Sequence, residues 1–454
     1  MSPVRLNEAR DIGFGGRRAQ MRIANRAGLG LGKARTLLLA GVVTIAMMAP
    51  IDVAFSQGGT GSLAQANLFT VIDLTPSGFT NSHAWGIFGG QQVGDGYDQA
   101  TGRVRALLWR GSAASVVDLN PSGFVESEAR SICGDQQVGS GSGPTTGSHR
   151  HALLWRSSAD SVVDLHPTGF DASEALGTAG GQQVGYGLTR AAAAGVRHAL
   201  LWRGSAASVV DLNPVGFTDS YASATSGEQQ VGSGDGHALL WHGSAASVVD
   251  LHPSEFGSSQ ALGISGDQQV GWGFIDIGAG VSAWESRALL WRGSARSAVN
   301  FLPGVKALAI SGDEQVGVGV DGHALMWRGS GASVVDLHAF LPPGFETSYA
   351  AGIDSNGDVV GFASGSESYS SHAFLWKRNT PKAAPSPGQD IARCEIPETD
   401  LALPATRHYV HQRDNCLLDQ NSGHPAFDKQ SRSDILHIIG SNSWETSMNV
   451  NFLR

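Results

Sequence analysis

Four short apolar runs recur in a fixed order along most of the chain, each bounded by glycine, serine, aspartate or proline. They are SVVDL (Ser247 to Leu251), A-x-x-I (Ala261 to Ile264), QQVGxG (Gln268 to Gly273) and ALLW (Ala288 to Trp291). Each is about five residues long, the length and bounding of a strand and too short for a helical stripe. Tight turns such as Gly266-Asp267 and Asn356-Gly357 follow the A-x-x-I run and supply the positive φ of a two-residue hairpin. A compact RGSAAS turn joins ALLW to the next VVDL. The pattern predicts four antiparallel strands per repeat.

The closing tryptophans, Trp109, Trp155, Trp202, Trp241, Trp291, Trp327 and Trp376, mark seven repeats with a period of about 36 to 50 residues. A unit this short cannot bury its own apolar face, so copies must stack. Seven four-stranded units over residues 71–376 predict an all-β, seven-bladed β-propeller. The ends of the array support ring closure. Val71-Ile72-Asp73-Leu74 is only the last strand of a unit, and Phe374-Leu375-Trp376 ends a unit that lacks it. Pairing the two leaves no strand edge bare. In this phase the inner strand is S-x-A-x-x-[IT], whose alanines (Ala84, Ala129, Ala175, Ala222, Ala261, Ala307 and Ala350) suit crowding near an axis. A phase with VVDL innermost offers no such closure. A β-solenoid-like repeat array is the alternative fold, and the irregular spacing argues against it.

The recurrent polar residues read as frame. Asp118, Asp164, Asp211, Asp250 and Asp336 recur on the fourth strand, and His151, His198, His237, His323 and His372 recur just before the third. A catalytic residue is needed once, whereas a blade-forming residue is needed in every blade, and buried polar atoms must be paired. In the Pro-x-Gly-Phe connector (Pro121 to Phe124, Pro167 to Phe170, Pro214 to Phe217) proline stops the strand, glycine permits the bend and phenylalanine fills the gap between blades. Residues 300–306 shorten this connector before the sixth unit.

Length variation falls between the second and third strands. That loop runs from a minimal Gly234-Asp235-Gly236 to the excursions 95–105, 140–150, 188–197 and 274–287. Variation on one face of a uniform scaffold marks a candidate binding face. Tyr97, Tyr186, Trp272, Phe274 and Trp284 are the aromatic candidates on or beside it. An extracellular polysaccharide lyase or hydrolase is the rival reading; Asp95, Asp98, Asp235, Asp276 and Glu285 are its non-repeated acids, and it requires them to meet across the channel mouth.

Composition narrows the class. A net charge of −9 and the lack of any Lys/Arg run within the repeats argue against a nucleic-acid binder. Residues 1–56 read as a signal peptide: basic residues from Arg17 to Arg35 precede the apolar run 37–50, and Ala54-Phe55-Ser56 suits cleavage. Fourteen apolar residues are short for a membrane span of about 20. The mature chain is expected to be secreted, extracellular or periplasmic, monomeric and without a membrane span. A short linker, 57–70, precedes the repeats; a Pro-rich linker, 377–389, and a weakly ordered tail, 390–454, follow them. Cys133 takes the place of small residues such as Ser265 and reads as a buried thiol, while Cys394 and Cys416 are free to pair. His408, His411, Cys416 and His424 fit no standard metal spacing.

Literal motif matches fail on context. The G-x-G-x-x-G at 317–322 falls in a strand hairpin rather than at a helix N-terminus, and 354–358 reads as an Asn-Gly turn rather than a calcium loop. No catalytic or metal-ligating residue and no cofactor is assigned. His372-Ala373-Phe374-Leu375-Trp376, with Gly352-Ile353-Asp354 and Val359-Val360-Gly361 upstream, resembles the bacterial extracellular "HAF" repeat family. The resemblance covers about residues 71–376 and implies export and a repeat fold, without an activity. The chain departs from it by carrying Leu or Met for Phe in six units and Arg105 and Arg287 in place of His. The functional expectation is a secreted repeat scaffold binding its ligand through loops on one face, with a glycan or envelope protein as partner. A structural envelope protein is a further alternative.

Overall fold

The computed structural model describes residues 68–189, 195–278, 284–365 and 370–380. The signal peptide, most of both linkers, the tail and Cys394 and Cys416 lie outside the described residues.

Seven four-stranded antiparallel sheets follow one another along the chain. Blade 1 comprises Phe79–Phe88, Gln91–Asp98, Arg103–Trp109 and Val117–Asp118. The innermost strands of blades 2 to 7 are Glu126–Cys133, Phe170–Ala179, Ser220–Thr225, Ser258–Ser265, Lys306–Ser311 and Phe345–Ile353. Each touches its neighbours and the last touches the first, so the ring is closed. All seven line a central channel. Closure is by the N-terminal strand Phe69–Asp73, which pairs with Ser371–Arg378 of blade 7, Val71 opposite Trp376. Both strands run past the expected ends of the array, because Phe69 and Thr70 pair with Arg378 and Lys377.

The outermost strand is shorter than expected in five blades. Only Val and Asp pair, as in Val117–Asp118, since a 3-10 turn such as Ala113–Ser115 consumes the residues before them. The following leucine leaves the ladder after one more bond, Leu119 N–H to the Ala106 carbonyl, and is fully buried. The seven tryptophans are also fully buried and fill the spaces between sheets. Burying side chains of this size contributes about 1.5–3 kcal/mol each.

The repeated polar residues hold this frame together. Ser127 Oγ accepts the buried Ala106 N–H of the preceding blade, and Ser173, Ser220, Ser259, Ser348 and Ser82 repeat the bond around the ring. Gln92 donates to the Gly90 carbonyl and accepts from Gly111 N–H, tying the inner hairpin to the outer turn. Every inner strand bulges at its alanine, so two residues face one glycine of the second strand. A Cβ on that glycine would lie 1.9 Å from a carbonyl oxygen at Gly139, Gly185 or Gly232, which explains why every blade keeps this glycine. Cys133 is buried as expected, yet it is disulfide-bonded rather than a free thiol. Its small-residue slot revealed the burial but not what its sulfur meets.

Candidate functional site

The frame residues recur; two positions inside the frame do not. One is the residue before the recurrent alanine on the inner strand, the centre of S-x-A in six blades, and the other is the residue after the QVG-type glycine on the second, the centre of G-x-G in six. The strand register sets them directly opposite each other in every blade: His83 and Asp95, Glu128 and Ser140, Glu174 and Tyr186, Tyr221 and Ser233, Gln260 and Trp272, Lys306 and Val318, Tyr349 and Phe362. Side chains paired in this way share one face of their sheet. The pairs precede the bulge, toward the connector end of the channel, and contacts such as Arg150 with Glu174 and His83 with Ser371 carry them across the seams between blades.

The pairs join into a network that crosses blade boundaries. In blades 7 and 1, Tyr349 stacks on Phe362, and both meet Trp85 edge-on; the His83 ring packs against Phe362 at 4.7 Å. The Trp85 indole N–H donates to Asp95 Oδ1, and His83 Nδ1 bonds Asp95 Oδ2 at 2.9 Å. Arg130 lies over the Trp85 ring and pairs with Glu128. Arg150 bridges Glu128 and Glu174 at 3.3 and 3.2 Å. Arg197 pairs with Asp219 and lies 5.0 Å from the Tyr221 ring centre. Burial, then the adjacent Glu174, pushes the Tyr186 phenol well up, so it stays protonated and donates. Blades 5 and 6 supply a separate group, with Lys306 Nζ 4.4 Å above the Trp272 ring. Most of these groups are held on strands, while Arg150 and Asp219 stand one residue before the strands His151–Trp155 and Ser220–Thr225.

Of the five aromatic candidates, Tyr186 and Trp272 belong to the seven pairs. Phe274 lies next to Trp272, with ring centres 4.9 Å apart. Tyr97 and Trp284 stand further out and are exposed; Trp284 lies close against the Gly257 backbone of the connector. The acids do not assemble. Asp98 serves its own turn and Arg105, Asp235 accepts the Thr218 and Asp219 N–H groups, Asp276 accepts Gly278 N–H, and Glu285 pairs with Arg287. Only Asp95 enters the network, through a histidine rather than another acid.

His83, Trp85, Glu128, Arg130, Glu174 and Lys306 escape a reading based on loop length. Their signal was blade-to-blade variation at the residue before the recurrent alanine, and, for Trp85 and Arg130, at the residue after it. Ser371 escapes it too: its Oγ lies 2.9 Å from His83 Nε2, although the two are 288 positions apart. The repeated histidines behave otherwise. Nδ1 of His151, His198, His237, His323 and His372 bonds the outer-strand aspartate of the same sheet at 2.7–3.2 Å. Each of those aspartates also accepts the N–H two residues on, as frame residues should. Arg105 replaces the histidine opposite Asp118, and blade 5 changes both partners at once, to Arg287 and Asn300.

A cavity of about 570 Å³ lies at the opposite, hairpin end of the channel. Its lining includes the isoleucine or threonine that recurs near the end of each inner strand, with Cys133 among the residues around it. Asp267, Arg292, Asp313, Arg328 and Asp354 line it as well, but the blade-specific pairs lie at the other end. Among the described residues no helix is long and apolar enough to cross a membrane.

The chain matches no protein-family model and no curated protein. Among solved structures it is similar to the β-propeller domain of the Trilobed protease from Pyrococcus furiosus, at 9% identity and a TM-score of 0.43, over 68% of this chain and 97% of that one. It is also similar to an oligogalacturonate lyase from Vibrio parahaemolyticus, at 10% identity and a TM-score of 0.44, over 68% and 97%. A puromycin-hydrolyzing peptidase from Mycobacterium tuberculosis is similar at 12% identity and a TM-score of 0.42, over 74% of this chain and 55% of that one. The likeness concerns the fold alone, and it is the strand pairing that establishes the propeller here.

Proposed function

We propose that this chain is an exported binding propeller whose ligand seat is the connector end of the channel and whose ligand is an extracellular glycan. The observation that carries the reading is the collection of blade-specific residues on seven facing pairs, while the residues that repeat are spent on the frame. Partly exposed aromatic faces at Trp85, Trp272 and Tyr349, with paired carboxylates and guanidiniums between them, suit a polyhydroxylated chain better than a purely apolar guest. The basic and apolar N-terminal segment and the HAF-like repeats support export.

A glycan array probed with the purified propeller tests this. Binding to at least one glycan class is expected, with affinity falling about tenfold or more in Trp272→Ala and in Trp85→Ala, the loss of roughly one good aromatic contact. An array without signal, or binding unchanged in both variants, contradicts the reading. Capture of an envelope protein by an untouched connector end would favour the structural alternative.

A further inference from the structure

Asp95, His83 and Ser371 form a hydrogen-bonded relay that occurs once in the described molecule. Asp95 is a tenth exposed at its side chain, and its other oxygen is held by the Trp85 indole. An ionised carboxylate only accepts, so His83 Nδ1 carries the proton and Nε2 is left as the acceptor for the Ser371 hydroxyl. No other blade repeats the set. The positions equivalent to His83 hold Glu, Tyr, Gln or Lys and those equivalent to Asp95 hold no acid; blade 5 does place Ser286 at the position equivalent to Ser371, but the residues across its seam are Lys306 and Val318. A framework purpose would require the set in each blade. Ring closure is what assembles it, since His83 and Asp95 belong to the first blade and Ser371 to the last.

We propose that Ser371 is a nucleophile, activated by His83 and oriented through Asp95, that hydrolyses carboxylic esters with a small acyl group. The Ser371 Oγ attacks the acyl carbon and forms a C–O bond while the carbonyl π pair moves onto oxygen; the hydroxyl proton passes to His83 Nε2. Collapse of the oxyanion breaks the bond to the leaving alkoxide, which takes that proton and departs as the alcohol. Water then repeats the sequence on the acyl-serine, releasing the carboxylic acid and restoring Ser371. Trp85, Phe362 and Tyr349 form an apolar wall beside His83 for the acyl group. Asn81 is the carbonyl-oxygen donor. Its Oδ1 accepts the Ser371 N–H at 3.2 Å, its Nδ2 has no partner among the described residues, and its backbone is held at a left-handed φ of 47°. This inference does not rest on the glycan reading.

The full chain is treated with a fluorophosphonate and digested for mass spectrometry, while p-nitrophenyl acetate hydrolysis is followed in the same preparation. An adduct on Ser371 is expected. Hydrolysis should fall about 100-fold or more in Ser371→Ala and in His83→Gln. It should fall about 100-fold in Asn81→Gly, which keeps the left-handed backbone and removes only the amide. Asp250→Asn, in a repeated pair, should leave the rate unchanged. If the fluorophosphonate leaves Ser371 unmodified, or if folded Ser371→Ala cleaves the ester as fast as wild type, the proposal is wrong. Should Ser371→Ala fail to fold, the adduct on the wild-type chain decides by itself.

Discussion

Two kinds of histidine–aspartate pair coexist in this ring. The repeated pair, as in His237 and Asp250, lies at the rim on the outer strands, about half exposed at both partners. Its aspartate is divided between an imidazole and a backbone N–H. The single pair, His83 and Asp95, lies on inner strands, with the aspartate nearly buried and its second oxygen taken by an indole. The chemistry is the same and the tasks differ. The rim pair fastens one sheet; the inner pair aims an imidazole nitrogen across the seam at Ser371. In a repeat protein, recurrence separates frame from site more reliably than residue type does.

The largest expected effect falls on the frame. Gly232→Ala places a Cβ 1.9 Å from the Tyr221 carbonyl, with backbone as the obstacle. Urea unfolding should show a loss of about 3 kcal/mol or more, the range of forced core rearrangement. A near-neutral result would mean that the bulged strand moves freely.

A smaller effect concerns proton linkage at the connectors. His166, His252 and His338 stack on His151, His237 and His323 at 3.9–4.1 Å. Burial, then the stacked imidazole, holds each below the ordinary histidine value of 6.5, against the pull of the nearby aspartates. The folded state therefore binds fewer protons than the unfolded chain just below that value. This contribution to stability is complete above about pH 6.5 and is lost as pH falls through the lowered folded values. Thermal melts from about pH 7.5 to 5.5 should show Tm falling. The slope should flatten when all three are changed to asparagine, which Asn120 and Asn213 already place there. An unchanged slope in that variant would assign the acid sensitivity elsewhere.

The smallest effect is at the rim itself. Asp250→Asn should cost about 0.5 kcal/mol, as exposed pairs do. A loss several times larger in urea melts would erase the distinction drawn between the two kinds of pair.

The fold was legible because its signals are local and occur seven times: strand length, bounding turns, and two incomplete ends that complete each other. The outer strand was read too long because V-V-D-L looks uniformly extended, whereas a 3-10 turn takes its start and burial takes its leucine. The site was less legible for a different reason. Length variation pointed to loops, yet Tyr97 and Trp284 lie outside the network, and apart from Arg150 and Asp219 the residues that form it are single substitutions within strands. Asp95 was visible as a non-repeated acid, but its partners were not. His83 carries no motif, and Ser371 comes near it only when the ring closes.

The division between frame and site is tested most directly by urea unfolding of paired substitutions in the S-x-A triplets. Replacing Ser127, Ser173 or Ser220 by alanine strands a buried N–H of the preceding blade and should lower the unfolding free energy by about 1–3 kcal/mol. Replacing the neighbouring Glu128, Glu174 or Tyr221 by glutamine, which Gln260 already places in blade 5, should cost less than about 1 kcal/mol. Glutamine variants as unstable as the alanine variants would contradict the account, because the variable positions would then belong to the frame.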